Sequence, residues 1–449
     1  MGEDKQLERC MHHFRELLNR DPPEDSLDIE EATDDLPINC EPPTKEEIER
    51  AIKQQKSGKA SGPDEIPVEA LKADLIGSTN MLYDLFQDIW KEEAIPEEWK
   101  EGYIIKIPKK GDLSSCSNYR GITLLCIASK IFNRVLLNRM KDVVNPILRD
   151  EQAGFRKGRS CTDQIATLRI ILEQTLEWNS SIYVNFIDFE KAFDSVDRNT
   201  LWKLLRHYGV PEKITALIRN SYEGMTCRVV HGQQLTEGFQ ILTGVRQGCL
   251  LSPFLFLLAI DWIMKKTTEQ GKNRIQWTLW TQLEDLDFAD DIALLSHTQQ
   301  QMQAKTDRMA EVAGSVGLRI NKGKSKILKI NTNNLDPITL GNEPFEEVTN
   351  FTYLGSVVDD QGGSDRDIKI RIGKARAAFK RLNNMWKCAS IKKSTKIRMF
   401  NCLVKPVLLY GSETWKMNAR TISKVQTFVN SGLRKILQIH RPERITNEE

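Results

Sequence analysis

Two aspartates, Asp290 and Asp291, stand side by side in the segment LEDLDFADDIALLS (283–296). The segment reads as a hairpin: two apolar strands around an acidic turn. Adjacent carboxylates in such a hairpin repel each other, so something must compensate. A divalent cation does this well, and Mg²⁺ binds through one or two carboxylates plus substrate phosphates. A lone Asp-Asp pair is commonly a solvated turn. What changes the reading is a third acid upstream. In SIYVNFIDF (181–189) β-branched and aromatic residues predict a strand. Alternation puts Val184, Phe186 and Asp188 on one face, so the first two pack while Asp188 projects at the strand's end. If Asp188 and Asp290 converge, they bridge two Mg²⁺ ions about 3.5–4 Å apart, with Mn²⁺ as a substitute. Asp291 then ligands a metal weakly or orients its neighbour.

Around this acidic set the pattern alternates between helix and strand. TKEEIERAIKQQKSGKA begins at Thr44, which stands at capping-box spacing from Glu47, with Ile48, Ala51 and Ile52 on one face. One helix is expected from Ala70 to Trp90, others over 125–144 and 162–178, and another carrying Leu201, Leu204 and Leu205. YIIKIPKKGD (103–112) predicts a strand ending in a basic loop. LSPFLFLLAIDWIMKK (251–266) predicts a helix with Ser252 as N-cap and Pro253 at its first position. TYLGSVVD (352–359) predicts one short strand, and helical patterns with Trp386 and Trp415 follow Asp365.

At 449 residues, 40% hydrophobic and 28% charged, the composition is that of a soluble globular protein of two or three units. The longest apolar run, Phe254 to Met264, is broken by Asp261 and too short to cross a bilayer. MGEDKQLERC has no signal-peptide core, so an intracellular protein, nuclear or cytoplasmic and without a membrane partner, is expected. The nine cysteines include no C-x-x-C pair and signal no zinc site. Charge is uneven: residues 1–50 hold 16 acids and 6 bases, residues 366–449 hold 20 bases and 5 acids. The basic end suits a polyanionic partner or is simply a well-solvated helical surface.

Taken in order, the motifs resemble those of a reverse transcriptase of the non-LTR retrotransposon type, close to the RTE group, from about Phe14 to Ile445. Asp188 followed by Ala192-Phe193 is similar to the family's first palm motif. The resemblance implies that Asp188 binds both metals and that Phe189 lends its backbone carbonyl. Phe193 corresponds to a steric gate against the ribose 2′-hydroxyl, the group that separates RNA from DNA precursors. In GVRQGCLLSP (244–253), Gln247 would contact the incoming nucleotide and Gly248 would let the backbone approach closely. FADD corresponds to the catalytic hairpin. IPKKGDLSSCSNYRG resembles the fingers hairpin, with Lys109, Lys110 and Arg120 meeting triphosphate and template. Lys324 in GLRINKGKSKI (317–327) is the candidate acid for departing pyrophosphate. FTYLGS (351–356) resembles the primer grip, through Tyr353, Leu354 and Gly355. Arg156, Lys157 and Arg159 of EQAGFRKGRS (151–160) correspond to template-backbone contacts.

The resemblance implies an α+β right-hand polymerase that adds dNTPs to a DNA primer on an RNA template, forming an RNA–DNA hybrid. It implies an acidic arm over 1–42, fingers over 43–180, palm over 181–362 (reverse transcriptase domain about 88–360) and a basic helical thumb over 363–449. The palm is expected to be a small antiparallel sheet backed by helices. Relatives carry an N-terminal endonuclease, which is expected to be absent from this chain. The C-terminal RPERITNEE is expected to be a truncation within the family's C-terminal region. The alternative expectation is therefore an inactive, truncated remnant that binds nucleic acid. An RNA-dependent RNA polymerase is a further rival, told apart at Phe193.

Overall fold

A computed structural model describes residues 3–23, 28–232, 234–269, 275–276, 282–439 and 446. The expected truncated end, RPERITNEE, therefore lies outside the described residues except for Thr446, as does part of the expected linker over 20–43. The fold is mixed α+β. The chain divides into two compact units, each discontinuous in sequence: 1–157, 188–271 and 305–321 form the first, and 158–187, 272–304 and 322–449 the second.

In the first unit, strand Glu101–Pro108 pairs antiparallel with Tyr119–Leu124 and parallel with Thr226–His231. Helix Glu3–Leu17 covers this sheet. It buries Cys10 and Phe14 against Ile104, Cys227, Val229 and Phe239. The acid-rich start of the chain hides this helix from a composition reading. Helix Lys45–Gln54 starts with the expected capping box, Thr44 with Glu47, and its Ile48, Ala51 and Ile52 are buried. Glu47 also takes the guanidinium of Arg139 through two hydrogen bonds, at 2.7 and 2.6 Å. Helix Ile127–Val144 is thereby locked to helix Lys45–Gln54 by a fork-to-fork pair.

Two helix expectations need correction. The single helix expected over Ala70–Trp90 is two, Val68–Ala73 and Leu75–Glu92. The break falls at Asp74, whose carboxylate accepts from the Gly77 N–H at 2.9 Å and so starts the second helix. Short acidic side chains offer the backbone this local partner, which favours caps over helix interiors. Ser252 is not an N-cap: helix Ser252–Thr268 has Leu251 at that position, and Pro253 is the second helical residue. The Ser252 hydroxyl is instead paired with the Tyr222 hydroxyl at 3.1 Å in the interior. That helix is apolar on every side and buried nearly throughout, so its partners, not its cap, fix it.

The second unit holds a five-stranded sheet in the order Glu346–Glu347, Lys326–Ile330, Ile182–Ile187, Asp291–Ser296, Asp285–Phe288. Its pairings are antiparallel except at the Glu346–Glu347 edge. All six residues of Ile182–Ile187 are buried, because strands flank it on both sides and both of its faces are covered. Helix Cys161–Glu177 contributes Ile165, Leu168, Ile171 and Leu172 to that core. The segment 352–359 is not one strand but a hairpin, Asn350–Tyr353 with Ser356–Asp359. Leu354 and Gly355 turn it with φ of +46° and +82°, a geometry that a glycine second position makes accessible. The basic C-terminal helices close on Trp386, Phe400, Val404, Leu408 and Ile436. No described helix is long and apolar enough to cross a membrane.

Candidate active site

The acidic hairpin is as tight as a hairpin can be. Phe288 pairs with Asp291, so Ala289 and Asp290 alone make the turn, and Ala289 sits at φ +57°. Asp290 is half-buried and Asp291 exposed. The neighbouring strand runs antiparallel with Ile187 opposite Ile292. In the sequence, the residues beyond that pair are Asp188 on one strand and Asp291, then Asp290, on the other. The exit from Ile182–Ile187 is pinned by its own neighbours. The Asn321 N–H donates to the Asp188 carbonyl at 2.7 Å, and Phe189 bridges to Ile320. Asp291 thus begins a strand, Asp290 sits in the two-residue turn before it, and Asp188 directly follows the end of strand Ile182–Ile187.

Among the described residues, no three Asp, Glu, His or Cys side chains are gathered tightly enough to hold a metal ion by themselves. Mg²⁺ binds proteins through one or two carboxylates and completes its shell with substrate phosphates and water. The donor set fits such an ion: hard oxygen ligands, and no competing histidine or thiol among Asp188, Asp290 and Asp291.

In the same unit, Tyr353 of the following hairpin donates its hydroxyl to the Leu286 carbonyl at 3.0 Å. Burial first, then the nearby Asp287, Asp291 and Asp285, pushes this phenol well above its usual range, so it stays a donor. Phe351 stacks on Phe186 at 4.2 Å. The Leu354 carbonyl accepts from Tyr410 at 2.7 Å, and the Gly355 carbonyl accepts from Arg371. The primer-grip candidates are thus seated on the catalytic-hairpin candidate from within one unit.

The nucleotide-side candidates meet in the first unit. Phe193 lies on the short helix Ala192–Ser195. Its ring stacks on the buried Phe256 at 4.3 Å and meets the exposed Phe155 edge-on at 6.3 Å. The Gln247 carbonyl accepts from the Thr123 N–H at 2.6 Å. Gly248 has φ +122°, and a Cβ there would lie 2.5 Å from the Thr123 carbonyl oxygen, so only glycine lets the loop lie against that strand. Lys109, Lys110 and Arg120 are exposed, in and beside a loop closed by the Lys109 N–H to the Asn118 carbonyl at 2.7 Å.

The template-side and proton-donor candidates fall differently. Arg156 donates to Asn145 through its side chain and carbonyl, at 2.8 and 3.0 Å, and to the Arg149 and Gln152 carbonyls. That guanidinium braces its own loop. Lys157 and Arg159 are exposed. Lys324, the proton-donor candidate, is exposed; its neighbour Lys322 pairs with Glu343 and Lys326 with Glu346.

One residue escaped the sequence reading. Asp194, inside AFDSVD, is buried and accepts from the Gln247 side-chain amide at 2.8 Å. Burial pushes its carboxyl up to about 6, against the pull of Gln247, Lys191, Arg20 and Lys109. Its sequence signal was proximity to Phe193 in a turn, where aspartate is unremarked.

Residues 107–358 match the family model described as reverse transcriptase (RNA-dependent DNA polymerase), and residues 378–410 match a domain of unknown function. The Pol polyprotein from the type-1 retrotransposable element R2 of Popillia japonica is 27% identical over 418 residues, 89% of this chain and 55% of that protein. The probable RNA-directed DNA polymerase from transposon BS of Drosophila melanogaster is 25% identical, over 96% of this chain and 48% of its own length. That from the X-element of the same fly is 26% identical, over 90% and 44%. The chain spans about half the length of the curated relatives it matches. With more than half of its residues under one family model, the chain belongs to the reverse transcriptase family.

Proposed function

We propose that the chain is an RNA-directed DNA polymerase, adding dNTPs to the 3′-hydroxyl of a DNA primer on an RNA template. The observation that carries this reading is the register of Ile187 opposite Ile292, beyond which the strands continue into Asp188 and into Asp291 and Asp290. In this reading the three carboxylates and the Phe189 carbonyl hold two divalent ions, Mg²⁺ or Mn²⁺. When bound, these ions acidify the primer hydroxyl and neutralise charge on the triphosphate. Lys324 supplies a proton to the departing pyrophosphate. Gln247 and Gly248 border the nucleotide, and Lys109, Lys110 and Arg120 take its phosphates and the template. Lys157 and Arg159 track the template backbone, and Tyr353, Leu354 and Gly355 hold the primer end. Arg156 acts one step back, holding the loop that carries Lys157. Fingers, palm and thumb correspond to 43–180, 181–362 and 363–449, after an acidic arm over 1–42.

Phe193 decides which nucleotide is accepted. Its ring is fixed by the stack on Phe256, so it excludes a 2′-hydroxyl by position rather than by hydrogen bonding. Wild type is expected to prefer dTTP to UTP on an oligo(dT)-primed poly(rA) template. Phe193→Ala raises the UTP-to-dTTP ratio of kcat/KM by about tenfold or more, the scale of a lost steric contact. Equal use of UTP and dTTP by wild type would contradict the DNA-polymerase reading and favour an RNA polymerase.

A further inference from the structure

The side chain of Gln247 is held by a buried carboxylate. Its Nε2 donates to Asp194 Oδ1 at 2.8 Å, and both residues line one small cavity. Asp194 is only 8% exposed. Neither partner is free to slide. The Asp194 N–H donates to the Lys191 carbonyl at 2.8 Å, and its carbonyl accepts from the Thr243 hydroxyl at 3.2 Å. Gln247 is tied through its own carbonyl to the Thr123 N–H at 2.6 Å.

A carboxylate only accepts hydrogen bonds. The amide facing it must present N–H. Flipped over, the amide would set Oε1 against a carboxylate oxygen, two acceptors with no proton between them. The two amide orientations have nearly the same shape, so packing alone does not choose between them. Asp194 does, and it leaves Oε1 turned away as an acceptor. An acceptor attracts a hydroxyl or N–H and repels a phosphate oxygen.

We propose that Asp194 is a positioning residue for nucleotide binding, which holds Gln247 with its carbonyl oxygen presented to a hydroxyl or N–H donor on the sugar or base of the incoming nucleotide. This rests on the polymerase reading above. A role confined to pinning the Ala192–Ser195 turn would be met as well by asparagine, which also accepts from an amide. Asparagine, however, also donates, and so permits both orientations of Gln247. The charges around Asp194 are cationic: Lys191, Arg20 and Lys109 act on it, and Arg198 and Arg246 line the same cavity. The Gln247 amide, Lys191, Arg20 and Lys109 oppose the upward push of burial, and at about 6 the carboxyl is mostly ionised at neutral pH.

The test is a double-mutant cycle with oligo(dT)-primed poly(rA) and Mg²⁺, read as KM for dTTP and kcat. Asp194→Asn and Gln247→Ala should each raise KM about tenfold, the scale of one directed hydrogen bond, with kcat changed less than about threefold. The double variant should be no worse than the worse single, because one residue acts through the other. A second arm compares pH. Wild-type KM should rise as pH falls through about 6, when Asp194 takes a proton and can donate to Oε1 of the flipped amide, whereas Gln247→Ala should lack that rise. This arm decides the matter alone if Asp194→Asn does not fold. Additive losses in the cycle, or the same pH profile in wild type and Gln247→Ala, overturn the proposal. A wild-type chain that incorporates no dTTP overturns the polymerase reading and this proposal with it, a result distinct from an active enzyme with additive losses.

Discussion

Asp290→Asn should lower the single-turnover rate of nucleotide addition by about a thousandfold or more, because in the proposed two-metal reading it removes charge stabilisation of several kcal/mol at about 1.4 kcal/mol per tenfold. The shape of the site should survive. Asparagine has the same size, and the turn is set by Ala289 at φ +57° and by the Phe288–Asp291 pair rather than by the Asp290 charge. Primer–template affinity should stay within a few-fold, since backbone binding comes from basic residues and is salt-dependent. Rapid-quench primer extension beside an equilibrium binding titration separates the two effects. A near-native rate would remove Asp290 from the chemistry.

The largest expected effect on stability lies away from the acids, at Asp367. Its carboxylate accepts from the Ser356 hydroxyl at 2.6 Å, the Val357 N–H at 2.9 Å, Arg169 at 3.0 Å and the Trp415 indole at 3.0 Å. Both members of the ion pair are buried, the side chains of Arg169 and Asp367 being 5% and 1% exposed. This one group ties helix Cys161–Glu177 to the hairpin of Asn350–Tyr353 and Ser356–Asp359, to helix Asp365–Arg381 and to Trp415. Asp367→Ala strands a buried guanidinium and three further donors. Loss of one partner of such a pair costs about 3–5 kcal/mol. Urea unfolding should show that loss, and Asp367→Asn, which keeps acceptors for part of the network, should lose less. A change in Asp367→Ala below about 1 kcal/mol would show that the network is replaceable.

What could be read from the sequence was what short-range rules govern. The Thr44–Glu47 capping box is a local arrangement, and it is present as drawn from spacing alone. Strand Ile182–Ile187 and the FADD hairpin follow from β-branched composition and a forced turn. The acids drew attention because adjacent carboxylates in an apolar hairpin need a counter-charge. Readings failed where a local signal had a competing use. Asp74 falls within a helical pattern that its own carboxylate interrupts, and Ser252 stands at N-cap spacing although Tyr222 claims its hydroxyl. The Leu354-Gly355 turn was hidden inside a run with strand composition. Asp194 and Asp367 were invisible for a deeper reason. Their significance is burial beside a partner far off in sequence, Gln247 for one and Arg169 for the other. Nothing in AFDSVD or SDRDIK announces that.

The measurement that bears most directly on the central claim is dTTP incorporation by the wild-type chain on an oligo(dT)-primed poly(rA) template with Mg²⁺, beside Asp290→Asn. Incorporation by wild type, abolished in Asp290→Asn although that variant still binds the primer–template, is the predicted result. Equal incorporation by both, or none by a wild-type chain that binds the primer–template, would contradict it.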